Sequence, residues 1–287
     1  MRKLKLTLFT LLTLFVFLSC SQNDNPAVVR QATTEKLLQK RHRIKIAYIH
    51  RGSLSGDEIE EDQIVEGIKF ACEELNASGG VLGATIELIP FNDGQNLNLA
   101  KKTAYQICSD PEICAVIGHR TSAPSIANSL VYHYYGLLMF SPSATAVSLT
   151  QQGLPYVFRN FPDDNSYAKR AAQFFKKRGW NRVMLYYLDN TYGTGLASLF
   201  ELNCSEMNIT IPDSENYTSL DGYHEYSELA QRWKSNYNFD AIFLAGIMMQ
   251  SAEIVSIFRE NGITQPIVDG GEFDDADFFE IGNNNSF

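Results

Sequence analysis

Apolar residues fall along this chain in two alternating rhythms. Short unbroken apolar runs give way to longer stretches in which apolar residues return every third or fourth position. The first pattern predicts buried strands and the second amphipathic helices. Strands are expected at Ile44–Ile49, Thr85–Phe91, Ile113–Ile117, Leu137–Phe140, Arg182–Leu188, Ile209–Ile211, Phe239–Ala245 and Pro266–Asp269. The first expected helix carries Ile64, Ile68, Cys72 and Leu75 on one face, and the next is Asn98–Cys108. A third starts at Ser122 and carries Ala123, Ile126, Ala127, Leu130 and Tyr134. Further on come Tyr167–Arg178, with Ala171, Phe174 and Phe175 inward, then Leu196–Met207, Tyr226–Tyr237 and Gln250–Asn261. Strand and helix alternate throughout, which predicts an α/β fold of parallel sheets flanked by helices. The alternation stops near Phe279, so the fold is expected to be truncated at its C-terminus.

The N-terminus breaks this rhythm. Met1 to Cys20 has a basic start at Arg2, Lys3 and Lys5, then an apolar run from Leu6 to Leu18. That run is too short for a comfortable membrane span and reads as a targeting segment. It ends Phe17-Leu18-Ser19-Cys20, similar to the cleavage box of bacterial lipoproteins, with Phe17 where leucine is usual. Residues 1–20 are therefore expected to be a lipoprotein signal peptide, with Cys20 the lipidated residue. Residues 21–43 are polar, include Asn23, Asp24, Asn25 and Pro26, and are expected to form a linker.

Charge and cysteine content narrow the classes. The 287-residue chain is long enough for two lobes with separate cores. Its net charge of −9 disfavours nucleic acid as a partner. Beyond Cys20 stand Cys72, Cys108, Cys114 and Cys204. Their spacing suggests no zinc site. Cys108 and Cys114 could pair in an oxidising compartment, or serve as free core residues.

Candidate chemistry concentrates at the ends of predicted strands. Leu137–Phe140 runs into Ser141-Pro142-Ser143-Ala144-Thr145, and Pro142 stops the strand because it lacks a donor. Hydroxyls and free N–H groups at such a place suit a carboxylate or phosphate, or merely cap a turn. Ser122 stands likewise at a helix start after Gly118-His119-Arg120-Thr121, as anion ligand or plain cap.

These stretches resemble one family, the type I periplasmic solute-binding proteins of the leucine/isoleucine/valine-binding group, related to receptor ligand-binding regions. The resemblance is carried by Ser141, Pro142, Ala144, Thr145, Leu149, Thr150, Gly153, Tyr156, Phe158 and Arg159, then Asp163 and Asp164. Leu75-Asn76-Ala77, with Gly79, Gly80 and Gly83, is a second hallmark. The resemblance implies a two-lobe fold, with residues 44–160 as the N-terminal lobe and 161–287 as an incomplete second lobe. It implies a non-enzymatic binder of a free amino acid or similar small carboxylate, without cofactor, serving the permease of an ABC importer from a lipid anchor outside the cytoplasm. A sensor of the same fold that signals rather than delivers is the alternative. The ligand carboxylate would meet Ser122, Ser143, Ala144 and Thr145 in the first lobe. Tyr192, in Asp189-Asn190-Thr191-Tyr192-Gly193, would close over the ligand, and an acid near the last turn, Glu272 or Asp269, would meet its ammonium.

Other constellations fall short. Gly193-Thr194-Gly195 nears a dinucleotide fingerprint, but Ser198 replaces the third glycine. In Gly52-Ser53-Leu54-Ser55-Gly56, Leu54 stands where a nucleophile elbow needs serine. As a calcium loop, Asp269–Glu280 has Asp274 in the place of the required glycine. His50 and His119 end strands, where they could contact a ligand or read as solvated loop histidines. Asp57, Glu58, Glu60, Glu61 and Asp62 crowd the first loop; they would favour a cationic ligand if they border the cleft, or simply face water at a helix start.

Overall fold

The structure is a computed structural model that describes residues 25–39, 43–50, 63–94 and 96–271. The chain forms two compact units. The first holds the described residues up to Arg120, with Pro124–Pro142 and Gly153–Arg159. The second holds Thr121–Ala123, Ser143–Gln152 and the described residues from Asn160 onward. Ser122 and the loop after Ser141 thus group with the second unit, whereas the resemblance placed them in the first lobe.

The first unit is built on a sheet of β1 (Arg43–His50), β2 (Thr85–Asn92), β3 (Ile113–Ile117), β4 (Leu138–Ser141) and β5 (Val157–Arg159), in the order β2-β1-β3-β4-β5. Every pairing is parallel. Its helices are α1 (Pro26–Gln39), α2 (Gln63–Ala77), α3 (Leu97–Ser109) and α4 (Ser122–Tyr134). Strand order reverses between β1 and β3, so their C-terminal ends open a crevice of the kind where α/β sheets bind ligands.

The second unit repeats the scheme. Its sheet is β6 (Val183–Leu188), β7 (Ser214–Tyr217), β8 (Ala241–Ala245) and β9 (Ile267–Asp269), parallel, in the order β7-β6-β8-β9. The short α5 (Ser148–Gln151) groups here with α6 (Asp164–Arg178), α7 (Thr191–Glu206), α8 (Tyr223–Asn236) and α9 (Met248–Glu260). The reversal falls between β6 and β8. Two cores occupy this unit: one gathers Tyr186, Tyr217, Tyr226, Trp233 and Phe258, the other Phe175, Phe200 and Phe243.

Four expectations need correction. Within the stretch expected to be a linker, Pro26–Gln39 is the helix α1, fixed by Arg30. That guanidinium is buried and donates to the carbonyls of Cys108 (2.8 Å), Asp110 (3.0 Å), Ile113 and Tyr135 (3.1 Å). The helix has no apolar stripe, which is why hydrophobic periodicity missed it.

The strand expected at Ile209–Ile211 is one isolated bridge, Arg182 to Thr210. Pro212 follows and lacks a ladder donor, and pairing resumes only at β7. On α6, Ala168, Ala172 and Phe175 are buried, whereas Phe174 is exposed beside Trp180 with Arg178 over its ring. Neighbouring helical residues point about 100° apart, so Phe174 and Phe175 cannot both face inward. On α2 the buried positions are Val65 and Cys72, and Leu75 is exposed. Asn76 holds that helix end instead, bonded to both main-chain polar groups of Ile86 (2.7 and 2.9 Å).

Candidate functional site

Ser122 opens α4, three residues after His119. A buried network fixes the turn before it. Gly118 has φ +145°, and a Cβ there would come within 2.7 Å of the Ile49 Cβ. Only glycine tolerates that approach. His119 is fully buried, which corrects its reading as a solvated loop residue. Its Nδ1 lies 2.6 Å from Asp93 Oδ2 and its Nε2 3.0 Å from the Tyr132 hydroxyl. Burial, assisted by Cys108 and Asp93, pushes the Tyr132 phenol well above its ordinary value. The phenol therefore keeps its proton and donates to Nε2, while Nδ1–H donates to the carboxylate. The His119 carbonyl accepts from Ser125 Oγ and Ser141 Oγ, both at 2.9 Å. His50 is buried too.

Ser122 and the loop after β4 meet directly. The main-chain N–H of Ala146 donates to Ser122 Oγ at 3.3 Å. That bond occupies a lone pair and leaves the Ser122 O–H to donate. Ser122, Ala144 and Thr145 are buried, and Ser143 is half-buried. The Thr145 carbonyl accepts from Asp164 N at 2.9 Å, which ties the loop to the start of α6. Asp163 caps that helix by accepting from Ser166 N at 2.9 Å. The Ser122 hydroxyl thus lies against the main chain of the loop that carries Ser143, Ala144 and Thr145.

Tyr192 sits in the first turn of α7, which Asn190 caps by accepting from Gly193 N at 2.8 Å. Its hydroxyl lies against Gly270, where a Cβ would come within 2.6 Å. Tyr167 lies similarly beside Gly271. The chain leading to position 272 therefore passes two tyrosines. Glu272 itself lies outside the described residues, as do Cys20, the acids of 57–62 and the Gly52–Gly56 stretch. The rival acid, Asp269, accepts from Gly271 N at 3.0 Å and so shapes that turn. Tyr192 and the Ser122 frame both belong to the second unit.

Two residues at a strand end were not among those expected. Ile247 and Met249 follow β8 at the reversal of the second sheet and expose apolar side chains. Their position one loop past a central strand was the available signal. All four described cysteines are free, and burial pushes Cys108 and Cys204 up to about 12. Such thiols stay protonated and unreactive. Among the described residues no group of His, Cys, Asp or Glu could hold a metal.

Comparison with known proteins identifies the family. The family profile described as Periplasmic binding protein matches residues 43–285. The Leu/Ile/Val-binding protein of Citrobacter freundii is 29% identical over 222 residues, which is 77% of this chain and 59% of that protein. The Leu/Ile/Val-binding protein of Escherichia coli K12 is 28% identical over the same share. The ABC transporter substrate-binding protein of Desulfitobacterium hafniense, solved in complex with Leu, is 32% identical with a TM-score of 0.67. The match covers 79% of this chain and 66% of that one. The leucine-binding protein LivK of Thermotoga maritima gives 26% and 0.73, over 84% and 67%. The chain belongs to the periplasmic binding proteins, type I, in the branched-chain amino-acid family. It spans about three fifths of the length of the curated relatives it matches. The family is one of binding proteins, not enzymes.

Proposed function

We propose that this chain is the solute-binding protein of an ABC importer, held outside the cytoplasm by lipid on Cys20, and that it binds a free amino acid. The observation that carries the reading is the Ser122–Ala146 frame, an O–H donor set among buried main-chain groups beside Thr145. Such a frame suits a carboxylate, which accepts several hydrogen bonds and needs few charges around it. Tyr192 supplies a ring face for the ammonium end, and Glu272 is its proposed counter-charge. Ile247 and Met249 supply apolar surface for an aliphatic side chain. The names of the relatives, which bind leucine, isoleucine and valine, support the same ligand class.

Calorimetry with leucine, isoleucine and valine tests this. A hydrogen bond to a charged group contributes about 1.5–3 kcal/mol, so Thr145→Ala should weaken binding roughly tenfold or more. Ser122→Ala should do the same and also free the Ala146 N–H. Unchanged affinity in both variants would remove these residues from the site.

A further inference from the structure

We propose that the N-terminal edge of the first unit is a membrane-facing surface, seated on the lipid bilayer that holds the Cys20 anchor. The inference rests on the lipidation of Cys20 proposed above, and its geometry comes from α1.

Tyr105 on α3 and Leu130, Val131, Tyr134 and Tyr135 at the end of α4 enclose a depression of about 400 Å³. Tyr134 is 64% exposed, Leu130 56% and Tyr105 54%, and what sets them apart is that they line one depression. The first turn of α1 adds exposed Val28 and Val29. Helix α1 is fixed at this place. Arg30 is bonded to the Tyr135 carbonyl, and Gly136 lies so close to Ala27 that a Cβ would come within 2.6 Å of it. Among the described residues these form an exposed apolar patch around the point where the chain enters the unit.

Chain length then restricts what can cover the patch. Six peptide units separate Cys20 from Pro26, a reach of about 20 Å even fully extended. A diacylated Cys20 must keep the start of α1 within that distance of the bilayer. The side chains placed there are tyrosines and aliphatics, the composition favoured at the boundary between headgroups and acyl chains. Residues before β3 and β4 form this edge, whereas the β3–α4 turn that leads to Ser122 follows the opposite ends of the strands. The membrane would therefore sit at the N-terminal ends of this sheet's strands.

The test uses the full-length, acylated protein in phosphatidylethanolamine/phosphatidylglycerol vesicles containing brominated lipid. Tyr134→Trp and Tyr105→Trp place reporters on two helices of the patch, and Phe70→Trp on α2 is the exposed control. Emission of the parent, which holds Trp180 and Trp233, is subtracted. Both patch reporters should be quenched several-fold more than the control. Cys20→Ala should abolish both flotation and quenching. Equal quenching at patch and control, in protein that is acylated and floats, overturns this surface while leaving the anchor intact. A wild-type chain that is neither acylated nor membrane-bound overturns the anchor and this surface together. Patch quenching that is absent until a permease is co-reconstituted assigns the patch to a protein partner and also overturns the proposal. If either reporter fails to fold, the other reads the same surface.

Discussion

Asp93, His119 and Tyr132 show how buried polar residues hold the turn that leads into Ser122. The imidazole bridges a carboxylate and a phenol in the interior, and its own carbonyl holds two serine hydroxyls. Asp93→Asn removes the charged acceptor of Nδ1–H. Losing a hydrogen bond to a buried charge costs about 1.5–3 kcal/mol, so the urea midpoint should fall clearly. Tyr132→Phe removes a neutral bond and should cost about 1 kcal/mol. A smaller effect from Asp93→Asn than from Tyr132→Phe would contradict the assigned proton positions. Ser122 and Thr145 stood out in the sequence as hydroxyls just past apolar runs, where the pattern alone reads as helix or turn caps; only the family resemblance made them ligand candidates. His119 did not stand out, because one histidine after a strand carries no periodicity, and its partner Asp93 lies 26 residues away.

At the scale of elements, the sequence was legible wherever an apolar stripe had to be buried. Strands β1, β3, β6 and β8 and helices α3, α6 and α8 lie close to where hydrophobic spacing put them. Helix α1 escaped because one buried guanidinium and four carbonyls fix it, not an apolar face. Burial lowers the Arg30 pKa, with Cys108 and Asp110 acting in the opposite sense, yet a guanidinium keeps its proton in proteins. Arg30→Met would strand four main-chain acceptors. We expect a loss of about 2–4 kcal/mol in the first unit, since each unsatisfied buried group costs about 1–3. Shortening the chain to begin at Asn25 should leave stability unchanged, and beginning at Arg43 should reproduce the loss. Equal stability for those two truncations, measured by urea unfolding, would restore the simple tether.

At the scale of the whole molecule, charge and apolar surface argue for different ligand side chains at the proposed site. The net charge is −9, and five acids precede α2 between Asp57 and Asp62. Were they to border the ligand, they would favour arginine or another cation. Two arguments favour an aliphatic ligand. Acids just before a helix are stabilised by its N-terminal dipole and need no ligand to account for them. Exposed charges are also screened within about 8 Å at physiological ionic strength, which limits their reach. Against that diffuse field stand Ile247 and Met249, apolar and exposed past β8. A buried methylene contributes about 0.8 kcal/mol, so a leucine side chain gains with each carbon it buries, whereas an ion pair open to solvent contributes about 0–1 kcal/mol. Leucine should therefore displace both arginine and glutamine, with a rank order unchanged between low and high salt. Met249→Lys should weaken leucine binding through lost apolar contact and an unmatched charge. Competition calorimetry at two ionic strengths decides the matter. Arginine binding more tightly than leucine at low salt, and losing that lead at high salt, would hand specificity to the acidic loop.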